Sequence, residues 1–542
     1  MYTPQNNFFR GVQNFVIDLR LMPAEYGTGI HHQVSQATIL HNVSFEMIPG
    51  PASGQQGIFM ENASGGFMSD LRFRGGKFGA WLGNQQFTLR NASFIDCGTA
   101  IYQHWGWTWT YFDVRIMNCG TGIAFSPFPD DGQGVGSAAI VDWTVCDTEV
   151  AVHYSEPGGR IVVDNLATHN VRTICTGYDK LPSQPWTIVR GCVKQLPVCE
   201  RPQCLVDSHG RWFGQEKPQP PLELSDVIVV TDYGARGDGV TDDTAALQSV
   251  LYHADGRVVY FPHGVYMVSD TLHIPVNTRI FGQALSQIMG YGQRFNDAGR
   301  PTAVVRVGNV GDVGSMLICD MLFSTLAPAA GAIVVEWNVH EAHQGSVAMF
   351  DSHVRIGGAA GTNLEHPNCP KNAPLESLPR ASFLNLHITQ GASGYFQNVW
   401  VWTADHDLDY GERAQINVLS ARGILIESQG PVWMYGTASE HQLLYQYALV
   451  GARNILLGAI QTESPYFQGH GFAPASIERG HPQYRDPRLY SPSVLEDRAH
   501  GLYIVDSSQV FVIGAGLYSF FDNYSQATLG DHACQRRLAP RS

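Results

Sequence analysis

Short apolar runs separated by Gly, Asn, Ser and Asp set the rhythm of the first third of the chain. Phe15–Leu19, Ala37–Leu40, Gly57–Met60, Phe67–Leu71 and Phe87–Leu89 are rich in strand-forming residues and bounded by turn formers, which reads as a series of β-strands. They recur at about 20–30 residues per round, the spacing of a solenoid whose coils bury their apolar face by stacking on neighbours. The rhythm runs from Phe8 to about Ile174 and breaks over 181–226. There Pro182, Pro185, Pro197, Pro202, Pro218, Pro220 and Pro221 predict an extended linker, because proline fixes φ and donates nothing to a ladder. A second solenoid is expected from Val227 to about Phe521. The predicted division is therefore 1–180, a Pro/Cys-rich linker over 181–226, 227–535, and a frayed tail over 536–542.

The second solenoid opens on a punctuated string, Thr231–Ala245 (Thr-Asp-Tyr-Gly-Ala-Arg-Gly-Asp-Gly-Val-Thr-Asp-Asp-Thr-Ala). Gly234, Gly237 and Gly239 supply positions where φ can be positive. Asp242 and Asp243 sit where negative charge favours a helix start, and Ala245–His253 predicts a short amphipathic helix. Val258–Tyr266 then reads as an apolar strand with a Pro-Gly corner. This string resembles the N-terminal cap of right-handed parallel β-helices in the pectate-lyase-like superfamily. Gly237–Asp243 lacks the twelve-residue loop and terminal Glu of a strong calcium site, so it is read as a capping turn. No such cap precedes Phe8. The fold class is thus all-β, two tandem right-handed parallel β-helices, the first without its N-terminal cap and early coils. An uncapped end exposes strand edges, so residue 1 is read as an internal start: a fragment, a truncated gene model or an alternative start site.

Composition narrows the partners. Net charge is −14 and only 15% of residues are charged, which argues against nucleic acid and, more weakly, against an anionic polysaccharide. Eleven Trp and 22 Tyr suit a carbohydrate binder as well as a packed core. Of the ten cysteines, Cys97, Cys119, Cys146 and Cys175 recur at intervals of 22 to 29 residues, the pattern of inward-facing small hydrophobes on successive coils. Cys192, Cys199 and Cys204 cluster in the linker. No paired C-x-x-C spacing points to zinc. No signal peptide is visible at the N-terminus, and no apolar run is long enough for a membrane span.

Several longer strings carry a more specific resemblance. They are Asn6–Arg10, Gly29–Thr38 and Met60–Phe67 in the first solenoid, and Trp400–His406, Tyr435–His441 and Gln461–Phe467 in the second. In this order they resemble the exo-β-1,3-glucanases of glycoside hydrolase family 55. The resemblance implies exo-acting hydrolysis of β-1,3-glucan with inversion, no cofactor, and a polysaccharide or oligosaccharide partner. It also implies an extracellular location, for which the chain shows no address. A monomer is expected, with no nucleic-acid or membrane partner.

Glycoside hydrolysis needs an acid for the leaving oxygen and a water or carboxylate for the anomeric carbon. Glu463, in Gln-Thr-Glu-Ser-Pro-Tyr, matches the family's general acid. Glu440 lies 23 residues earlier, about one coil away, so the two can stack on one face. An acid beside aromatic surface and a second carboxylate is expected to have a raised pKa. Glu440 is assigned to the catalytic site, where with His441 it can also simply order the groove. By resemblance, Ser64 and Gln36 of the first domain hold the attacking water; neither is a strong base. That division places the expected site in the cleft between the two β-helices. Tyr466, Trp400, Trp402 and Trp105 are candidates for stacking on sugar rings, and Gln85, Gln86 and His406 for hydrogen bonds to hydroxyls. Two competing readings are a catalytically impaired glucan-binding fragment and a polysaccharide lyase of the same fold. The lyase would need an Asp-lined calcium site that the sequence does not display.

Overall fold

The computed structural model describes residues 4–127, 133–155, 158–189, 191–220, 226–410, 413–468, 481, 483–487 and 498–526. It divides into two units, one formed by 1–216 with 457–459 and 511–516, the other by the remaining residues. The predicted tail and the end of the second domain lie outside the described residues. None of the helices among the described residues is long and apolar enough to cross a membrane.

In the first unit, strands pair in parallel with those one coil away. Gly11–Asp18 pairs with Ile39–Glu46, which pairs with Phe67–Arg74, then Gln86–Ile95, then Thr108–Met117. A second series runs through Thr28–His31, Gln56–Phe59, Phe78–Gly83 and Thr99–Trp105. The predicted runs are all strands, most of them longer than the apolar stretch that announced them. The reason lies in single residues within those strands: Asn14, Asn42, Asp70, Asn91, Asp113 and Asp142 have φ between 50° and 62°. Asn and Asp tolerate this left-handed conformation better than other side chains. They bend each strand without ending it, and stacked amides tie neighbouring bends together: Asn42 to Asn14 at 2.8 Å and Asn91 to Asp70 at 2.6 Å.

Inside, Phe45, Phe73 and Phe94 stack with centroids 4.8 and 4.5 Å apart and rings within 3° of parallel. They press on Gly29, Gly57 and Gly79 of the facing series, where a Cβ would lie 2.5–2.8 Å from a ring carbon. Any larger residue there would force the coil open. The first strand, Gly11–Asp18, pairs only with Ile39–Glu46 among the described residues and leaves Phe15 and Val16 exposed.

The Pro-rich stretch departs from the expected extended linker. Trp186–Val189 and Cys192–Gln195 form an antiparallel hairpin on Arg160–Cys175, with Trp186 and Ile188 buried. The prolines flank these strands, so the apolar run between them is free to pair. Further on, Arg201 bridges Asp142 and Asp164 at 2.7 Å each, and Arg211 meets Asp113 at 3.0 Å. The segment is bound to the acidic bends of the first unit.

In the second unit, the capping string forms a turn with Gly234, Gly237 and Gly239 at positive φ, followed by the helix Thr244–Tyr252. Asp243 is buried and accepts the N–H groups of Arg236 and Gly237. Its carboxylate thus holds the glycine turn, while Asp242 accepts the Thr244 N–H at 3.1 Å. Val258–Phe261 and Val265–Val268 are separate strands on either side of the Pro-Gly corner. Parallel pairing then proceeds coil by coil to Trp400–Thr403, Val432–Glu440 and Arg453–Glu463.

Candidate active site

The ends of three successive strands of the second unit assemble a buried acidic cluster. Trp400–Thr403 delivers the chain to Asp405 and His406, Val432–Glu440 to His441, and Arg453–Glu463 to Tyr466. Trp402 lies opposite Glu440 in the register, and the His441 N–H donates to the Glu463 carbonyl at 2.8 Å. Stacking of coils therefore brings Glu440 and Glu463 together despite their separation in sequence, as their spacing predicted. Both are buried, 2% and 7% exposed, and burial of two acids side by side is tolerated only with protons or cations to balance them.

His441 is the cation between them. Its φ is 69°, which turns the chain so that the ring points back into the cluster. Nδ1 donates to the Thr403 carbonyl at 2.9 Å, with an Asp405 oxygen at 3.8 Å. That fixes Nε2 as the titrating nitrogen, 3.5 Å from Glu463 Oε2. Burial works against the imidazolium, but Glu463, Asp405 and Glu440 outweigh it and push its pKa up to about 9. Burial likewise opposes charge on Asp405, yet His406 at 2.9 Å and His441 hold its carboxyl down at about 2.

The two glutamates have different surroundings. Glu463 is ringed by donors: Tyr466 hydroxyl at 2.9 Å, Gln461 amide at 3.4 Å, and the His441 ring. Glu440 receives the Trp400 indole N–H at 3.0 Å. Burial first, then the charge of Glu463, push the Glu440 carboxyl up to about 8, against the pull of His441 and Trp400. A raised carboxyl beside a second acid is thus found at Glu440. Coupled groups of this kind share their protons as a set.

Three aromatic expectations require correction. Trp400 and Trp402 are 2% and 1% exposed and stack on each other at 4.8 Å, so no face is left for a sugar ring. Both alternate inward on their strand, and Trp400 serves Glu440 instead. Trp105 is also buried, its indole N–H held by the Glu61 carbonyl at 2.8 Å. Tyr466 is half-buried, packed on His441 and on Phe521 with centroids 4.9 and 4.4 Å apart. His406 lies edge-on to Trp402 at 5.6 Å.

In the first unit, Gln36 and Ser64 meet on adjacent coils, the Gln36 amide 3.4 Å from the Ser64 hydroxyl. Asn84 secures these turns by accepting the Gly65 N–H and donating to the Val34 carbonyl. Gln85 is half-buried one coil on, its N–H bonded to the Ala63 carbonyl. Gln86 is 7% exposed, and neither atom of its amide has a hydrogen-bond partner among the described residues. Asp405 was not singled out from sequence. The signal was present in two dipeptides that end strands, Asp405-His406 and Glu440-His441, each placing an acid beside a base.

Parallel pairing coil by coil fits a pectate-lyase-like protein, and the family match and the curated relatives agree. A profile described as rhamnogalacturonase A/epimerase, pectate lyase-like, matches residues 1–124 and 227–299. A probable glucan endo-1,3-beta-glucosidase of Arthroderma benhamiae is 35% identical over 99% of this chain and 75% of its own length. A glucan 1,3-beta-glucosidase of Cochliobolus carbonum is 37% identical over 98% of this chain and 71% of its own. The non-secreted LysM effector LysM15 of Penicillium expansum is 41% identical over 95% of this chain, which spans 39% of that protein. Among solved structures, sacteLam55A of Streptomyces sp. SirexAA-E in complex with glucose aligns at 14% identity and a TM-score of 0.44, over 96% of this chain and 78% of its own. The chain belongs to glycoside hydrolase family 55.

Proposed function

We propose that this protein hydrolyses β-1,3-glucan from chain ends with inversion, with Glu463 as the proton donor to the leaving oxygen. The observation that carries the reading is the donor shell of Glu463. Tyr466, Gln461 and His441 supply what a carboxylate needs once it has given up its proton, and stabilising that product favours the transfer. Glu440 keeps a proton one coil away and, with His441, resupplies the acid. Gln36 and Ser64 are proposed to orient the attacking water, and Gln86, with its unpaired buried amide, to bind a sugar hydroxyl. Tyr466 remains the proposed stacking platform. The reading includes two tandem right-handed β-helices, action outside the cell and a monomeric enzyme.

The test is glucose release from laminarin by this chain beside Glu463→Gln, with each product's anomeric configuration followed by NMR. Release of the α-anomer by the parent and its loss in the variant are expected. Glucan binding without release by a folded parent would replace hydrolysis with a binding role, and β-anomer release would overturn inversion.

A further inference from the structure

The four regularly spaced cysteines of the first unit do not form one column. Cys146 stands opposite Met117 and is half-buried, and Cys175 stands opposite Val152. Cys97 and Cys119 do coincide. Their neighbours Asp96 and Asn118 are joined side chain to side chain at 2.7 Å across 22 residues, and the Gly120 N–H donates to the Cys97 carbonyl at 3.2 Å. The two cysteines therefore sit directly beside one another on adjacent coils. Parallel strands are about 4.8 Å apart, within the Cα separation a disulfide spans. Both thiols are buried, 2% and 4% exposed, and each donates to a main-chain carbonyl, Cys97 to Ile95 at 3.6 Å and Cys119 to Met117 at 3.4 Å.

From this geometry we infer that Cys97 and Cys119 are an oxidation site, closing to a disulfide that staples two successive coils of the first unit. Written from Cys119, the exchange begins when that thiol loses its proton and becomes the nucleophile. Its thiolate attacks one sulfur of a small-molecule disulfide such as oxidised glutathione and displaces one thiolate. Cys97 then loses its proton and attacks the Cys119 sulfur, displacing the second. Two protein thiols give up two protons and two electrons, and one small disulfide becomes two thiols. The staple would persist in an oxidising compartment and open in a reducing one.

The experiment incubates the intact protein, with Cys192→Ser, Cys199→Ser and Cys204→Ser removing the exposed linker thiols, in oxidised glutathione at neutral pH. Non-reducing peptide mapping is expected to find the Cys97 and Cys119 peptides joined with a deficit of two hydrogens, and the thermal midpoint to rise and return on reduction. Both cysteines recovered as free thiols after denaturing alkylation, or carrying separate glutathione adducts, would overturn the assignment. Because the readout is made on the wild-type pair, it does not depend on whether a Cys97 or Cys119 variant folds.

Discussion

Two buried acidic clusters in the second unit show how the choice of cation separates architecture from chemistry. Asp320 and Asp351 sit at left-handed bends, with φ of 58° and 46°, and share Lys217, whose ammonium lies 2.7 Å from each. Despite burial, the two acids hold the Lys217 pKa above its ordinary value. The cluster's cation therefore stays charged at neutral pH. Glu440 and Glu463 are buried and Asp405 is half-buried, but their cation is a histidine whose own proton is in play. Acid repulsion there is relieved by keeping a proton on Glu440 rather than by adding a permanent charge. A fixed cation builds a corner; a titratable one leaves a mobile proton.

The contrast can be broken from either side. Glu463→Gln is expected to lower kcat on laminarin by about 10²–10⁴-fold, as loss of a general acid does, with thermal stability little changed. Lys217→Met should do the opposite, costing about 3–5 kcal/mol in denaturant unfolding because buried Asp351 and half-buried Asp320 lose their partner, while the pH–rate profile of the surviving enzyme keeps its shape. His441→Asn, which suits the positive φ, is expected to lower kcat by roughly 10-fold, short of removing an acid. It should also abolish the contribution of the imidazole to the basic limb without raising KM. A merely structural histidine would leave the profile unmoved.

Stability should follow pH in a stated direction. Glu440 is raised to about 8 from an unfolded value of 4.5, so the folded state binds the extra proton and stability declines as pH rises between these values. His441, raised to about 9 from 6.5, contributes stability that is complete below 6.5 and lost through 9. Asp405, lowered to about 2 from 3.8, contributes above 3.8 and is lost as pH falls through 2. The cluster therefore favours the mildly acidic range, and the thermal midpoint should fall from about pH 5 to about pH 9. Glu440→Gln, which removes one titrating group, should flatten that slope, the smallest of these effects.

Much of this was legible in the sequence. Strand runs, the glycine cap and the one-coil spacing of Glu440 and Glu463 follow from local residue types and a repeat length. The rest depended on direction rather than spacing. Alternation along Trp400–Thr403 decides that both indoles face inward, and a sequence motif does not state its face. The hairpin at Trp186 was masked by the prolines around it. The raised carboxyl of Glu440 depends on burial and on groups drawn from three coils, Glu463, His441, Trp400 and Asp405, and that environment exists only once the coils are stacked.

The central claim is that the cluster stores a proton on Glu440 at neutral pH. Difference infrared spectroscopy of the carboxyl stretch over a pH titration reads this directly. Glu341, which burial raises to about 7, contributes a separate band that Glu341→Gln removes. In that background the account predicts a protonated carboxyl band that persists at pH 7, disappears near pH 8, is absent from Glu440→Gln and is intact in Lys217→Met. A band missing at pH 7, or unchanged in Glu440→Gln, would contradict it.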